Sequence, residues 1–126
     1  MIDLHVHTTA SDGQYSPSQI IQKASEKNIK VIAITDHDTT AGLEEAKNEG
    51  KKLGVTVVPG IEINITFPTG EFHLLGLGLK KPSKSLNNIV ENVLKNRTER
   101  NLQIIEKINA DGVPLSLAEL EEDFPN

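Results

Sequence analysis

The chain has 126 residues, a net charge of −5, no Cys, no Trp, one Tyr and three Phe. That length allows one domain or part of one, with a modest core, and is short for a closed barrel of βα units. The acidic balance and scarce aromatics exclude a broad basic nucleic-acid footprint and a base-stacking platform; the lack of Cys excludes disulfides, thiolate chemistry and Cys-type zinc sites. Phosphate substrates stay open, because bound cations reverse the local field. No apolar run approaches the roughly 20 residues needed to span a bilayer. Asp3 and His5 interrupt the N-terminus before a signal-peptide core can form. The expectation is a cytoplasmic protein with no membrane partner.

Residues 2 to 7 read as a first strand, followed by a loop from Thr8 to Tyr15 that carries Asp12-Gly13. Strand side chains alternate, so His5 and His7 share a face, and two imidazoles side by side can chelate a metal ion. Ser16-Pro17-Ser18-Gln19 predicts a helix start, with Ser16 as N-cap, Pro17 at the first position and Gln19 completing a capping box. Ile20, Ile21 and Ala24 supply its buried stripe, and Asn28 is expected in the left-handed conformation at its end. Val31 to Ile34 reads as a strand covered on both faces. It runs into Thr35-Asp36-His37-Asp38-Thr39-Thr40, and polar chelating residues just past a buried strand stand where α/β folds place their chemistry. The next helix is predicted from Gly42 to Leu53, with Leu43, Ala46 and Leu53 inward and Gly54 as its C′ residue.

Val55 to Pro59 predicts a third strand. Gly60-Ile61-Glu62-Ile63-Asn64-Ile65 follows, with Glu62 facing opposite to the isoleucines. Pro68-Thr69-Gly70-Glu71 predicts a hairpin turn into Phe72–Leu79, where His73, Leu75 and Leu77 share one face. Lys80-Lys81-Pro82 breaks this rhythm. Leu86, Ile89, Val90, Val93 and Leu94 then recur at helical spacing, and Leu102, Ile105 and Ile108 resume it after Arg97 and Arg100. Gly112 closes that helix, and Ser116-Leu-Ala-Glu119 is a second capping box, opening a short helix to the chain end at Asn126. The chain thus reads as an α/β part, residues 1–79, and a helical part, residues 80–126. So few strand–helix units do not close a barrel, and the exposed strand edges predict self-association.

Taken singly, each polar residue here has an ordinary structural explanation, since a histidine beside an acid is usually a satisfied surface or core residue. Together they ask for more. All four histidines fall near strand ends or on the hairpin, each with Asp or Glu nearby. Parallel strand ends converge at one rim, so His5, His7, Asp12, His37, Glu62 and His73 are expected to meet there. Nitrogen and oxygen donors without sulfur suit Zn, Mn or Fe. A carboxylate such as Glu62 can bridge two ions about 3.5–4 Å apart, the arrangement used in phosphoester hydrolysis.

The motifs His5-Val-His7 with Ser11-Asp12-Gly13, Thr35-Asp36-His37-Asp38, Pro59-Gly60-Ile61-Glu62 and His73-Leu74-Leu75-Gly76 resemble, in order and spacing, the N-terminal half of the PHP family (polymerase and histidinol phosphatase domains). The similarity is greatest to its stand-alone metal-dependent phosphoesterases, which include a nucleoside 3′,5′-bisphosphate phosphatase and a 5′–3′ exoribonuclease. The resemblance implies the N-terminal part of a distorted (β/α)7 barrel over residues 1–79 and the start of a helical insertion over residues 80–126. It implies up to three divalent ions (Mn, Zn or Fe). His5 and His7 would hold one, Glu62 would bridge it to a second that His73 also holds, and Asp12 and His37 would hold the third. A metal-bound hydroxide would attack the phosphorus of a small phosphorylated metabolite, a nucleotide or a nucleic-acid end. Arg97 and Arg100 would clamp a substrate phosphate or, equally, form a solvated helix face. Asp36 is divided between ligand and loop-structuring residue, and Asp38 is expected to cap the following turn. The family's later motifs, a histidine in the second half and an Asp-x-His near the end, are not among these residues, so each ion would lack a ligand. A non-catalytic metal- or partner-binding fragment is the alternative. An amidohydrolase is a third reading, which the TDHD and GIE segments fit poorly.

Overall fold

The structure is a computed structural model that describes residues 1–68, 70–80 and 83–123. It divides into two compact units, Met1–Val90 and Glu91–Asn126. The first contains β1 (Ile2–Val6), α1 (Pro17–Glu26), β2 (Val31–Ile34), α2 (Leu43–Leu53), β3 (Thr56–Phe67) and β4 (Gly70–Leu77). Helix α3 (Lys84–Ala110) begins in it and continues into the second unit, which also holds α4 (Leu117–Asp123).

Local chemistry sets the helix ends as the sequence predicts. Ser16 Oγ accepts the Gln19 N–H at 3.2 Å and Gln19 Oε1 accepts the Ser16 N–H at 2.9 Å, with Pro17 opening α1. Asn28 takes a φ of 56° just past the end of α1. Gly54, at φ 68°, closes α2, whose first turn carries Glu44 and Glu45 and whose last carries Lys51 and Lys52, the charge order that complements a helix dipole.

The strands form a curled sheet in the order β1-β2-β3-β4. β1 and β2 are parallel, β2 and β3 are parallel, and β3 and β4 are antiparallel. The expected third strand, Val55–Pro59, and the alternating stretch Gly60–Ile65 after it belong to one strand, β3. β3 pairs with β2 through Thr56 to Pro59 and with β4 from Gly60 onward, so a single continuous backbone serves both ladders. The turn expected over Pro68-Thr69-Gly70-Glu71 includes Thr69, which lies outside the described residues, as do Lys81 and Pro82 and the last three residues, 124–126. β1 carries a register shift between Asp3 and Val6 against β2, a bulge-type irregularity of the kind that re-aims side chains beside functional sites.

Ile21 and Ala24 of α1, Leu43 and Ala46 of α2, and Ile29, Ile32, Ile34 and Val55 form the core between the two helices and the sheet. Each fully buried isoleucine contributes about 1.5–3 kcal/mol of transfer free energy. Leu53 corrects the expected inward face of α2, being 40% exposed. The contact with β3 is made one turn earlier by Gly50, where a Cβ would sit 2.6 Å from Val55 O and 2.7 Å from Val57 Cγ2; the last turn runs on past it. The outer strands stay open, with Ile2 and Leu4 of β1 and Leu74 and Leu77 of β4 exposed.

In the second unit, Ser116 and Glu119 form the predicted capping box, and Gly112, at φ 89°, follows the end of α3. Neither α3 nor α4 has a buried residue among those described. No helix among the described residues is long and apolar enough to cross a membrane.

Candidate metal centre

His5 and His7 reach the end of β1 on one face, and their Nε2 atoms are 3.1 Å apart. Past β2 the chain continues to pair. Glu62 N–H donates to Asp36 O at 3.1 Å and Asp38 N–H donates to Glu62 O at 2.9 Å, so His37 stands beside Glu62 in a parallel bridge. In the β3–β4 hairpin Asn64 lies opposite His73, which puts His73 on the same face as Glu62, one step along the strand. The loop carrying Asp12 folds back on the end of β1, where Thr8 O accepts the N–H groups of Ser11 and Gly13 at 3.0 and 2.9 Å. Only glycine fits at position 13, since a Cβ there would lie 2.5 Å from the His7 carbonyl.

All six residues expected at one rim are brought together around Glu62. Its Oε2 lies 2.8 Å from both His5 Nε2 and His7 Nε2, and its Oε1 lies 2.9 Å from His73 Nδ1. His7 Nδ1 is 2.7 Å from Asp12 Oδ1. His37 Nε2 is 3.6 Å from Glu62 Oε2 and 3.8 Å from Asp12 Oδ2. The rings of His7, His37 and His73 follow edge to face, with centroids 4.6 and 4.8 Å apart. Three groups thus present ligand atoms within 4.8 Å of one another: His5, His7 and Glu62; His7, Asp12 and His37; and His37, Glu62 and His73.

The donor geometry fits divalent ions. Ligand atoms about 2.1 Å from an ion stand about 3.0–3.4 Å apart. The His5–His7–Glu62 atoms are close to that spacing, with both imidazole nitrogens 2.8 Å from one carboxylate oxygen and 3.1 Å from each other. His37 Nε2 faces two carboxylate oxygens at distances too long for hydrogen bonds. Glu62 turns one oxygen toward the His5–His7 pair and the other toward His73, as a bridging carboxylate does.

Both carboxyls are held in the ionised form a metal needs. Burial is the largest influence on Glu62 and pushes its carboxyl up, but the His5 hydrogen bond, the charges of His37 and His5, and the His73 hydrogen bond together outweigh it and lower it. Asp12 is lowered first by the His7 hydrogen bond, against a partial desolvation cost.

Asp36 is not among the converging atoms. Its buried carboxylate accepts Thr8 N–H at 2.6 Å, Thr8 Oγ1 at 2.8 Å and Ser11 Oγ at 2.8 Å, tying the Asp12 loop to the end of β2. Asp38, expected to cap the following turn, also reaches across to β3. It is fully buried at φ 52°, and its Oδ1 accepts the Asn64 N–H at 3.2 Å, an anchor to β3 that the left-handed backbone makes reachable. Sequence reasoning passed over Thr8 and Asn64. Thr8 is fully buried, and Asn64 Oδ1 is buried with no hydrogen-bond partner among the described residues, as is His37 Nδ1. The signal for Thr8 was a hydroxyl directly after a strand that ends in chelating residues. Asn64 had only its strand parity with Glu62. Arg97 and Arg100 lie on α3 in the second unit.

The PHP domain family model matches residues 3–115. A 5′–3′ exoribonuclease of Haemophilus influenzae is 33% identical over 112 residues, covering 89% of this chain and 41% of the relative. A phosphoribosyl 1,2-cyclic phosphate 1,2-diphosphodiesterase of Eggerthella lenta is 38% identical over 108 residues, covering 84% of this chain and 41% of the relative. Among solved structures, a protein of Bifidobacterium adolescentis described as a candidate metal-dependent phosphoesterase superposes with a TM-score of 0.82 at 27% identity, covering 93% of this chain and 41% of that one. One of Chromobacterium violaceum described as an amidohydrolase, with bound sulfate and no metal, gives 0.81 at 31% identity, covering 90% of this chain and 40% of that one. The chain spans about two fifths of the length of these relatives.

Proposed function

Since this chain belongs to the PHP domain family, we propose that it supplies the metal-binding N-terminal part of a metal-dependent phosphoesterase. The observation that carries the proposal is the convergence of four histidines and two carboxylates on one rim, with Glu62 shared between the histidine groups. His5, His7 and Glu62 would hold one ion, and His73 and His37 would hold a second with Glu62. Asp12 and His37 would face a third. Bound divalent ions supply Lewis acidity toward a phosphoryl oxygen and lower the pKa of water. The protein's own residues do the rest. Glu62, buried and ionised, fixes the spacing of the histidine nitrogens on either side of it. Asp36 holds the Asp12 loop in place.

The substrate class we assign is a phosphate ester of a small metabolite, a nucleotide or a nucleic-acid end, in the cytoplasm. The relatives' names support it by spanning an exoribonuclease and a cyclic phosphodiesterase. Mn, Zn and Fe all suit the nitrogen and oxygen donors. Arg97 and Arg100 are proposed phosphate contacts on the chemistry of the guanidinium group.

The test is metal-dependent phosphate release by this chain with Mn or Zn, comparing 3′,5′-bisphosphonucleotides, 5′-phosphorylated RNA and histidinol phosphate. Release that His7→Ala abolishes supports the reading and names the substrate. Metal binding without release favours a second reading, a binding fragment that hydrolyses nothing. One observation speaks for that alternative: the three groups share His7, His37 and Glu62, so six side chains serve nine ligand places. Self-association through the open β1 and β4 edges belongs to the same alternative and is read by solution mass.

A further inference from the structure

His7 stands in two of the candidate groups and engages both of its ring nitrogens. Nε2 lies 2.8 Å from Glu62 Oε2 and 3.1 Å from His5 Nε2. Nδ1 lies 2.7 Å from Asp12 Oδ1. A neutral imidazole has one lone pair and one N–H, so it cannot offer both nitrogens as ligands at once. With an ion in the His5–His7–Glu62 group, Nε2 would supply the lone pair, because it is the nitrogen that converges with His5 and Glu62. Nδ1 must then carry the proton, and Asp12 Oδ1 is placed to accept it. The second oxygen of the same carboxylate, Oδ2, lies 3.8 Å from His37 Nε2.

Resting on the metal-centre reading above, we propose that Asp12 serves two neighbouring metal positions by different means. Through Oδ1 it is a positioning residue that locks His7 as an Nε2 ligand beside His5 and Glu62. Through Oδ2 it is a ligand beside His37. The His7–Asp12–His37 group is therefore not an independent three-ligand site, because His7 contributes to it only by orienting Asp12, and is oriented in return. A carboxylate that accepts the second N–H of a ligating imidazole fixes its tautomer and raises its basicity, which is worth about 10–100-fold in metal affinity. Ser11 Oγ, 3.2 Å from Asp12 Oδ1 and 2.8 Å from Asp36 Oδ1, links this pair to the buried Asp36 anchor.

Two substitutions separate the roles. Asp12→Asn keeps a carbonyl oxygen for the His7 N–H and turns an amide NH2, which cannot bind a cation, toward His37. Asp12→Ala removes both oxygens. The Asp12 side chain is 65% exposed, so neither change disturbs the core. The experiment is a Mn2+ titration of the chain followed by electron paramagnetic resonance, with 15N imidazole spectra of the protein loaded with diamagnetic Zn2+. We expect Asp12→Asn to lose one bound ion while the tightest ion keeps an affinity within about threefold of the unsubstituted chain, and His7 to keep its Nδ1–H tautomer. Asp12→Ala should lose the same ion, bind the tightest one about 10–100-fold more weakly and lose the tautomer preference. Equal affinity of the two variants for the tightest ion overturns the inference while leaving the metal centre intact. Absence of any Mn2+ that His5→Ala removes overturns the metal centre, and the inference with it.

Discussion

Helices α1 and α4 begin alike and end up in different circumstances. Each opens on a serine whose hydroxyl accepts an N–H at 3.2 Å from the residue three positions on, and each of those residues, Gln19 and Glu119, reaches back to the serine N–H at 2.9 Å. Yet α1 buries Pro17, Ile21 and Ala24, whereas α4 buries no residue, and neither does α3 before it. The same contrast runs through the two units. In the first, apolar side chains meet a sheet and close a core. In the second, Leu94, Leu102 and Ile104 are each more than 40% exposed. Capping chemistry decides where a helix starts, while packing of an apolar face supplies most of its stability.

Truncating one apolar side chain in each unit should give the largest difference between them. Ile21→Ala, at a fully buried position, should cost about 2–5 kcal/mol in urea unfolding followed by circular dichroism. Leu102→Ala, at 44% exposure, should stay within about 0.5 kcal/mol. A Leu102→Ala cost as large as that of Ile21→Ala would mean that the α3 stripe is covered in solution, and the contrast between the units would fail.

A smaller effect separates the two side chains that each clamp a loop. Asp36 accepts three bonds from Thr8 and Ser11 in a buried setting. Asn109 makes two bonds to the Leu115 backbone, at 2.9 and 2.7 Å, in an exposed one. Asp36→Ala leaves the buried Thr8 N–H without its acceptor and should cost about 1–3 kcal/mol. Water can replace the lost partner after Asn109→Ala, so that cost should be about 0.5–1 kcal/mol. The two differ in reach as well. Asp36→Ala should also weaken Mn2+ binding, by loosening the Asp12 loop; unchanged metal affinity would show that the loop holds its place without the anchor.

What could be read in the sequence follows the range of the forces involved. The α1 capping box and the left-handed Asn28 depend on residues within a few positions, and both were legible. So was the shared face of His5 and His7, which needs only strand alternation and survives the register shift in β1. The meeting of His37 with Glu62 could be anticipated because parallel strand ends converge. The part played by Asp36 could not be assigned, because its partners lie 28 and 25 residues away and a buried carboxylate is equally suited to a metal. The bond from the Asn64 N–H to Asp38, 26 residues apart, was out of reach for the same reason. Leu53 carries the helical period of an inward residue. It was misplaced because periodicity gives a direction and not the length of sheet available to cover it.

The smallest effect concerns how each unit holds its carboxylates. Glu119 lies below the ordinary glutamate range because the Ser116 hydroxyl donates to it, followed by the Ser116 backbone N–H. Asp12 is lowered by the His7 hydrogen bond and partly by the charges of His7 and His37. Both folded values are depressed, so each group stabilises the fold above its unfolded value, about 3.9 for Asp and 4.3 for Glu, and that contribution is lost as pH falls through the folded value. Salt should separate them, since it screens charges and leaves bonds from neutral donors in place. In carboxyl 13C titrations of the metal-free chain, added salt should move the Asp12 midpoint upward and leave that of Glu119 unchanged. Ser116→Ala should raise the Glu119 midpoint toward the ordinary range at every salt concentration and reduce the protection of the α4 amides. A Glu119 midpoint as sensitive to salt as that of Asp12 would mean that charge, rather than the capping hydrogen bonds, holds it down. The likeness between the caps of α1 and α4 would then be one of geometry alone.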